Sequence, residues 1–155
     1  MSRALGALAV AAAVGALAAI VSRRRHDAGE IVRRYFEAWA HGDSDAIADL
    51  LTDDYCGHVH TLIGTETRHV DELAAVLRGH RDAFEWTEFD VRDVVAADGR
   101  LAARVAMRTR HRETGREGEI EGLAIFSLED GRIAEEWSSW DYLGLADQLG
   151  IRSGG

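Results

Sequence analysis

Asp98-Gly99-Arg100-Leu101-Ala102-Ala103-Arg104-Val105-Ala106-Met107-Arg108-Thr109-Arg110-His111 is the stretch on which the fold turns. Leu101, Ala103, Val105, Met107, Thr109 and His111 fall at every second position, and Arg104, Arg108, Arg110 and Arg112 share the opposite face. A period of 2 predicts a strand with one face buried and the other in water. Asp-Gly before such a run predicts a type I′ hairpin turn, whose two central residues need φ > 0. The same pair recurs at Asp130-Gly131. Working outward, strands are expected from Trp86 to about Val95, from about Glu119 to Glu129, and from Arg132 to about Tyr142.

Upstream the period is 3.6. Ile31, Val32, Tyr35, Phe36 and Trp39 follow a capping box, Asp27-Ala28-Gly29-Glu30. Ala46, Ile47, Leu50 and Leu51 follow a capping Asp43, and Val70, Leu73, Ala74, Leu77 and Phe84 mark a third helix. Tyr55 to Ile63 reads as an irregular extended piece lending side chains to the sheet. Three helices and then four long antiparallel strands predict an α+β fold, with the helices packed on one face of a curved sheet.

The 155 residues, 46% hydrophobic and 29% charged, allow one globular domain, expected over residues 27–150 with a short tail at 151–155. Cys56 is the only cysteine, so neither an intrachain disulfide nor a Cys-based zinc site can form. Net charge is −9, and the part after Arg25 holds all 27 acidic residues against 14 of the 18 basic ones, a net −13. Such a surface repels phosphate backbones and excludes nucleic acid as a partner.

Residues 1–25 stand apart. Ala4 to Val21 is an 18-residue apolar run between Arg3 and Arg23-Arg24-Arg25. It just reaches the length of a membrane-spanning helix, and the arginines behind it hold the following domain on the cytoplasmic side. An apolar helix that anchors the domain to the membrane is therefore expected. Two other readings are an exported protein cleaved after Ala16-Leu17-Ala18, and a cytoplasmic protein whose translation begins near Val21.

The chemistry-bearing stretch is Glu135-Glu136-Trp137-Ser138-Ser139-Trp140-Asp141-Tyr142-Leu143-Gly144-Leu145. On a regular strand Trp137, Ser139 and Asp141 share a face. With Trp137 turned into the hollow beneath the helices, Asp141 turns inward too, and desolvation beside indole rings suits it to general-base work. The alternative is that Asp141 caps a final helical turn beginning near Leu143. His111, on the apolar face of its strand, could donate to a substrate carbonyl, or stand half solvated at the strand end. His58 and His60 share a face, but no carboxylate-rich motif accompanies them and no metal is expected. Cys56 stands too close to His58 on one strand to make a nucleophile–base pair. GxSxG, GxGxxG, P-loop, HExxH and CxxC motifs are all absent.

The order helix, Gly42-Asp43, helix, Asp53-Asp54-Tyr55, His58, long helix, Asp98-Gly99-Arg100-Leu101, Ala124-Ile125-Phe126-Ser127-Leu128-Glu129-Asp130-Gly131-Arg132 resembles the SnoaL-like polyketide cyclases, or ester cyclases, of the NTF2-like superfamily. Glu136-Trp137 through Gln148-Leu149-Gly150 carries the likeness to the subfamily. The resemblance implies a cone-shaped (cystatin-like) α+β barrel around an apolar cavity, dimerising through the convex side of its sheet. It implies a cofactor-independent enzyme in which Asp141 takes a proton α to a carbonyl, and the enolate closes a ring by aldol attack. By the same match His111 lies near the substrate, His58 lines the cavity, and Trp39, Met107 and Trp137 form apolar walls around a small hydrophobic molecule. Members carry a Gly- and Pro-containing loop where this chain has only Arg112 to Gly118. The competing reading is a non-catalytic domain that binds a small molecule or lipid and is tethered to the membrane.

Overall fold

The computed structural model describes residues 29–151. The capping box at Asp27 and the apolar run from Ala4 to Val21 lie outside them. Helix α1 (29–41) is followed after a left-handed Gly42 by α2 (Ser44–Leu50), whose N-cap Asp43 accepts the Ala46 N–H at 2.9 Å. Val70–Glu72 forms a 3₁₀ turn that leads into α3 (Leu73–Ala83). Strands β1 (Leu51–Thr61) and β2 (Gly64–Arg68) precede that turn. After α3 come β3 (Phe84–Ala97), β4 (Arg100–His111), β5 (Glu117–Glu129), β6 (Arg132–Trp140) and α4 (Tyr142–Leu149).

Both Asp-Gly hairpins form. Asp98 and Gly99 have φ of 50° and 75°, Asp130 and Gly131 of 48° and 79°, the positive pair that the turn type demands. The six strands run in the order β2-β1-β6-β5-β4-β3. Two expectations change. The piece around Tyr55 is a full strand of 11 residues, and it lies parallel to β6, so the sheet is mixed. Its near-neighbour acids and Cys56-Gly57-His58 hid the pattern, since beyond Leu51 it is Tyr55, Gly57 and Val59 that face the core. Phe84, expected to end α3, instead opens β3.

The helices bury their apolar stripes on the concave face. Val32, Tyr35 and Phe36 of α1, Ile47 of α2, and Leu73 and Leu77 of α3 pack with Leu101, Val105, Phe126 and Ile133 of the sheet in one core. Phe126 is fully buried, and removing such a ring costs about 3–5 kcal/mol. On the convex face the arginines of β4 pair with acids: Arg104 with Asp93, Arg108 with Glu88 and Glu119, Arg110 with Glu85. Among the described residues, no helix is long and apolar enough to cross a membrane.

Candidate active site

The side-chain alternation of β6 resets once. Ser127 pairs with Glu135 but Leu128 pairs with Ile133, which leaves Ala134 as an extra residue. A one-residue bulge carries every following side chain to the opposite face. Ile133 before it is buried. Beyond it Glu136 and Ser138 are buried, while Trp137 and Ser139 face water.

This overturns the expected inward turn of Trp137 and Asp141. Trp137 is 46% exposed and stacks on His58 with ring centroids 3.9 Å apart, both on the convex side. His58 Nε2 lies 3.4 Å from Glu135 Oε1, and His58 is not among the residues that line the cavity described below. Asp141 is exposed, and its Oδ1 accepts the Gly144 N–H at 2.9 Å as the N-cap of α4. His111 is buried at the end of β4, its Nδ1 3.2 Å from Thr114 Oγ1 and its ring against Phe84, and it too stands outside the cavity lining. Trp39 and Met107 line the cavity.

A cavity of about 900 Å³ opens between the concave face and the helices. Phe36, Trp39, Leu73, Phe89, Met107 and Trp140 make it apolar. Into this lining projects one deeply buried carboxylate. Glu136 is 5% exposed, and its Oε2 accepts the hydroxyls of Tyr35 at 2.6 Å and Tyr55 at 2.9 Å. Oε1 takes no hydrogen bond among the described residues. Burial, and then the negative charge of Glu136, push the Tyr35 phenol well above its ordinary value, and the same two causes raise Tyr55. Both phenols therefore stay neutral donors that fix one carboxylate oxygen and leave the other a free acceptor. Burial also lowers the imidazole of His80, a wall residue on α3 bonded to Thr87 Oγ1 at 2.8 Å.

Gly57 keeps this arrangement open. It pairs with Glu136 on one side and with Arg68 of β2 on the other, and a Cβ there would lie 2.5 Å from the Tyr55 hydroxyl. Tyr35, Tyr55, Arg68, Glu136 and Ser138 escaped the sequence reading. Tyr35 sat inside an apolar helical stripe, Tyr55 and Arg68 lay in or beside a segment read as irregular, and the bulge hid the parity of β6. The available signal was the Glu135-Glu136 doublet, since neighbouring residues on a strand face opposite ways.

A family model for SnoaL-like polyketide cyclases matches residues 29–149. The chain belongs to the SnoaL-like polyketide cyclase family. Solved structures agree on the fold. IdmH of Streptomyces antibioticus, a proposed polyketide cyclase, superposes with a TM-score of 0.71 at 24% identity, covering 79% of this chain and 98% of that one. TsrD of Streptomyces laurentii gives 0.70 at 24%, covering 83% and 98%. An epoxide hydrolase of the LEH-like type from M. tuberculosis gives 0.65 at 17%, covering 83% and 92%. Comparison with curated proteins finds no match. This SnoaL-like chain thus has the NTF2-like, ketosteroid isomerase-like architecture of a curved sheet closed by helices. Among its described residues, no group of three or more His, Cys, Asp or Glu could hold a metal ion.

Proposed function

We propose that this SnoaL-like protein is a cofactor-independent enzyme that removes a proton α to a carbonyl in a hydrophobic substrate, with Glu136 as the base. The role that the sequence reading gave to Asp141 passes to Glu136 in this proposal. The observation that carries it is a buried carboxylate with one oxygen held by Tyr35 and Tyr55 and the other unbonded in an apolar cavity. Oε1 takes the proton as the C–H bond breaks, and the bonding pair becomes the enolate. The enolate carbon then attacks a second carbonyl of the same molecule, and the proton returns to the new alkoxide. The apolar walls exclude water, which strengthens each electrostatic contact in the site.

The test is hydrogen–deuterium exchange. Hydrophobic ketones and β-keto esters are incubated with the full chain in D₂O and followed by mass spectrometry. Wild-type protein should exchange α-protons of at least one compound, and Glu136→Gln should lose about 10²–10⁴ of that rate. Binding without exchange in any compound would favour the non-catalytic ligand-binding reading. Equal exchange by both proteins would end the proposal.

Two further readings belong to the proposal. The chain pairs with a second copy through the convex face, where Val95, Leu123, Ile125 and Trp137 expose apolar surface. The segment from Ala4 to Val21 tethers the domain to the cytoplasmic side of the membrane, supported by the arginines that follow it.

A further inference from the structure

We propose that Arg68 is the oxyanion contact of this cavity, the group that receives the substrate oxygen on which charge comes to rest when Glu136 takes its proton; for its chemistry the inference rests on Glu136 as base.

Placement comes first. Gly57 pairs with Arg68 on β2 and with Glu136 on β6, so the three form one row across the sheet. Neighbouring strands lie about 4.8 Å apart, so the two charged residues start from backbones about 10 Å apart. The residue between them has no side chain, and both flanking residues line the same cavity.

The second observation is unused donor capacity. A guanidinium offers five N–H groups in a planar fork. Among the described residues Arg68 makes one side-chain hydrogen bond, from Nη2 to Glu66 Oε2 at 3.1 Å, and its buried Nε has no partner. Glu66 is itself half exposed, and a pair of that kind is worth at most about 1 kcal/mol. Ser138 Oγ, on the cavity face two residues past Glu136, is likewise buried and, among the described residues, unbonded. Buried polar groups without a partner are rare and each calls for an explanation, and in a cavity lining a bound ligand is one. The positive charge of Arg68 also acts on the Tyr55 and Tyr142 phenols, opposing the larger effect of burial, which places it within electrostatic reach of the tyrosine that holds Glu136.

Charge decides between a site for a resident anion and a site for a developing one. Glu66, Glu136 and Asp147 of the lining are acidic and Arg68 is basic, in a chain whose net charge is −9. An anion arriving from water meets three carboxylates, Glu66, Glu136 and Asp147, and one guanidinium. An enolate made in place meets something else. The proton moves from carbon to Glu136 Oε1, the electron pair moves through the new C=C bond to the carbonyl oxygen, and Glu136 becomes neutral as that oxygen becomes negative. The sum is unchanged, and Arg68 faces the only new negative charge. A guanidinium is suited to this, since bidentate, charge-assisted contacts are the strong ones.

Two probes of one skeleton test it: 8-anilinonaphthalene-1-sulfonate, which bears an oxygen anion, and N-phenyl-1-naphthylamine, which does not. Fluorescence titrations use the full chain as wild type, Glu136→Gln, Arg68→Gln and the double variant. Glu136→Gln imitates the protonated base and should tighten the sulfonate about tenfold, a response that a probe bound on the convex face would not show. Arg68→Gln should weaken the sulfonate about tenfold in both backgrounds, while the neutral probe changes by less than about twofold throughout. A sulfonate affinity that ignores Glu136→Gln, or that survives Arg68→Gln in the Glu136→Gln background, overturns the inference. So does a parallel loss of both probes, which would make Arg68 a mere wall. Should the probes behave as expected while no carbonyl compound exchanges deuterium, the base reading falls and the anion contact stands. Exchange with an overturned probe pattern leaves Glu136 as base and removes Arg68.

Discussion

Tyr55 and Glu136 sit on neighbouring parallel strands, and the phenol of the first holds Oε2 of the second at 2.9 Å. The chain has three tyrosines, Tyr35, Tyr55 and Tyr142, and in each burial is the first cause that raises the phenol. Unfolded, they would ionise near pH 10. Because the folded values are higher, the stability they contribute is whole below about pH 10 and is lost as pH climbs toward the folded values. Tyrosinate absorbance near 295 nm should therefore appear together with alkaline unfolding. Gradual ionisation centred near pH 10 with the fold intact would contradict the buried arrangement.

Glu136→Gln should fold with a melting temperature at or above the wild-type value. It removes a buried negative charge that has no cationic partner and keeps an acceptor for the tyrosine hydroxyls. Glu136→Leu should be worse by about 2–4 kcal/mol, because two buried phenols lose their acceptor. Thermal melts of the pair separate the hydrogen-bonding role from the charge.

Gly57→Ala adds one carbon 2.5 Å from the Tyr55 hydroxyl. The ring must move, and the bond to Glu136 is the first to go. Loss of exchange activity is expected with only about 1–3 kcal/mol of lost stability, typical of an overpacked site. Unchanged activity would show that Tyr55 does not position the carboxylate.

Asp141 gives the contrasting case. Its Oδ1 caps α4, so Asp141→Ala should cost about 1 kcal/mol while Asp141→Asn, an equally good cap, costs almost nothing. Both variants should keep ligand affinity and exchange activity. Abolished turnover in Asp141→Asn with the fold intact would restore it as the base.

The convex face should respond to charge. Ile125 pairs with Trp137, which pairs with His58, and Ala102 continues the row toward Val95. Introducing Glu at both 125 and 137 should convert a dimer to a monomer, read by light scattering, without changing affinity for a cavity ligand. A wild-type chain that is monomeric at about 100 μM, well above the Kd of a standard interface, would remove the dimer.

How much of this could be read beforehand follows from which signals are local. The β4 alternation and the two Asp-Gly turns announced themselves, because a turn's φ values are set by the residues in it. The stripe Val32, Tyr35, Phe36 did the same for α1. Strand β1 was missed because its pairing with β6 is parallel and long-range, and its outward residues include Asp53, Asp54 and His60. The site was missed for a single reason of the same kind: alternation along β6 is a local rule, but the bulge at Ala134 is a property of two strands together. Asp141 and Glu136 are both acids on the same final segment and fall on opposite faces by count, and nothing ahead of them in the sequence says that the count restarts at Ala134.

That bulge makes the identity of the inward acid a matter of counting as much as of chemistry. Pairing Ala134 regularly with Ser127 would carry strict alternation on from Ile133, presenting to the cavity the side chains that now face water and turning Glu136 out, whereas deleting Ala134 would remove the bulge and keep Glu136 inward. A one-residue difference in strand pairing thus decides which carboxylate reaches the pocket, without altering any residue that bears one. Relatives sharing this family's fold at low identity need not share a site position for position, and the residue that performs the chemistry in each has to be found by face.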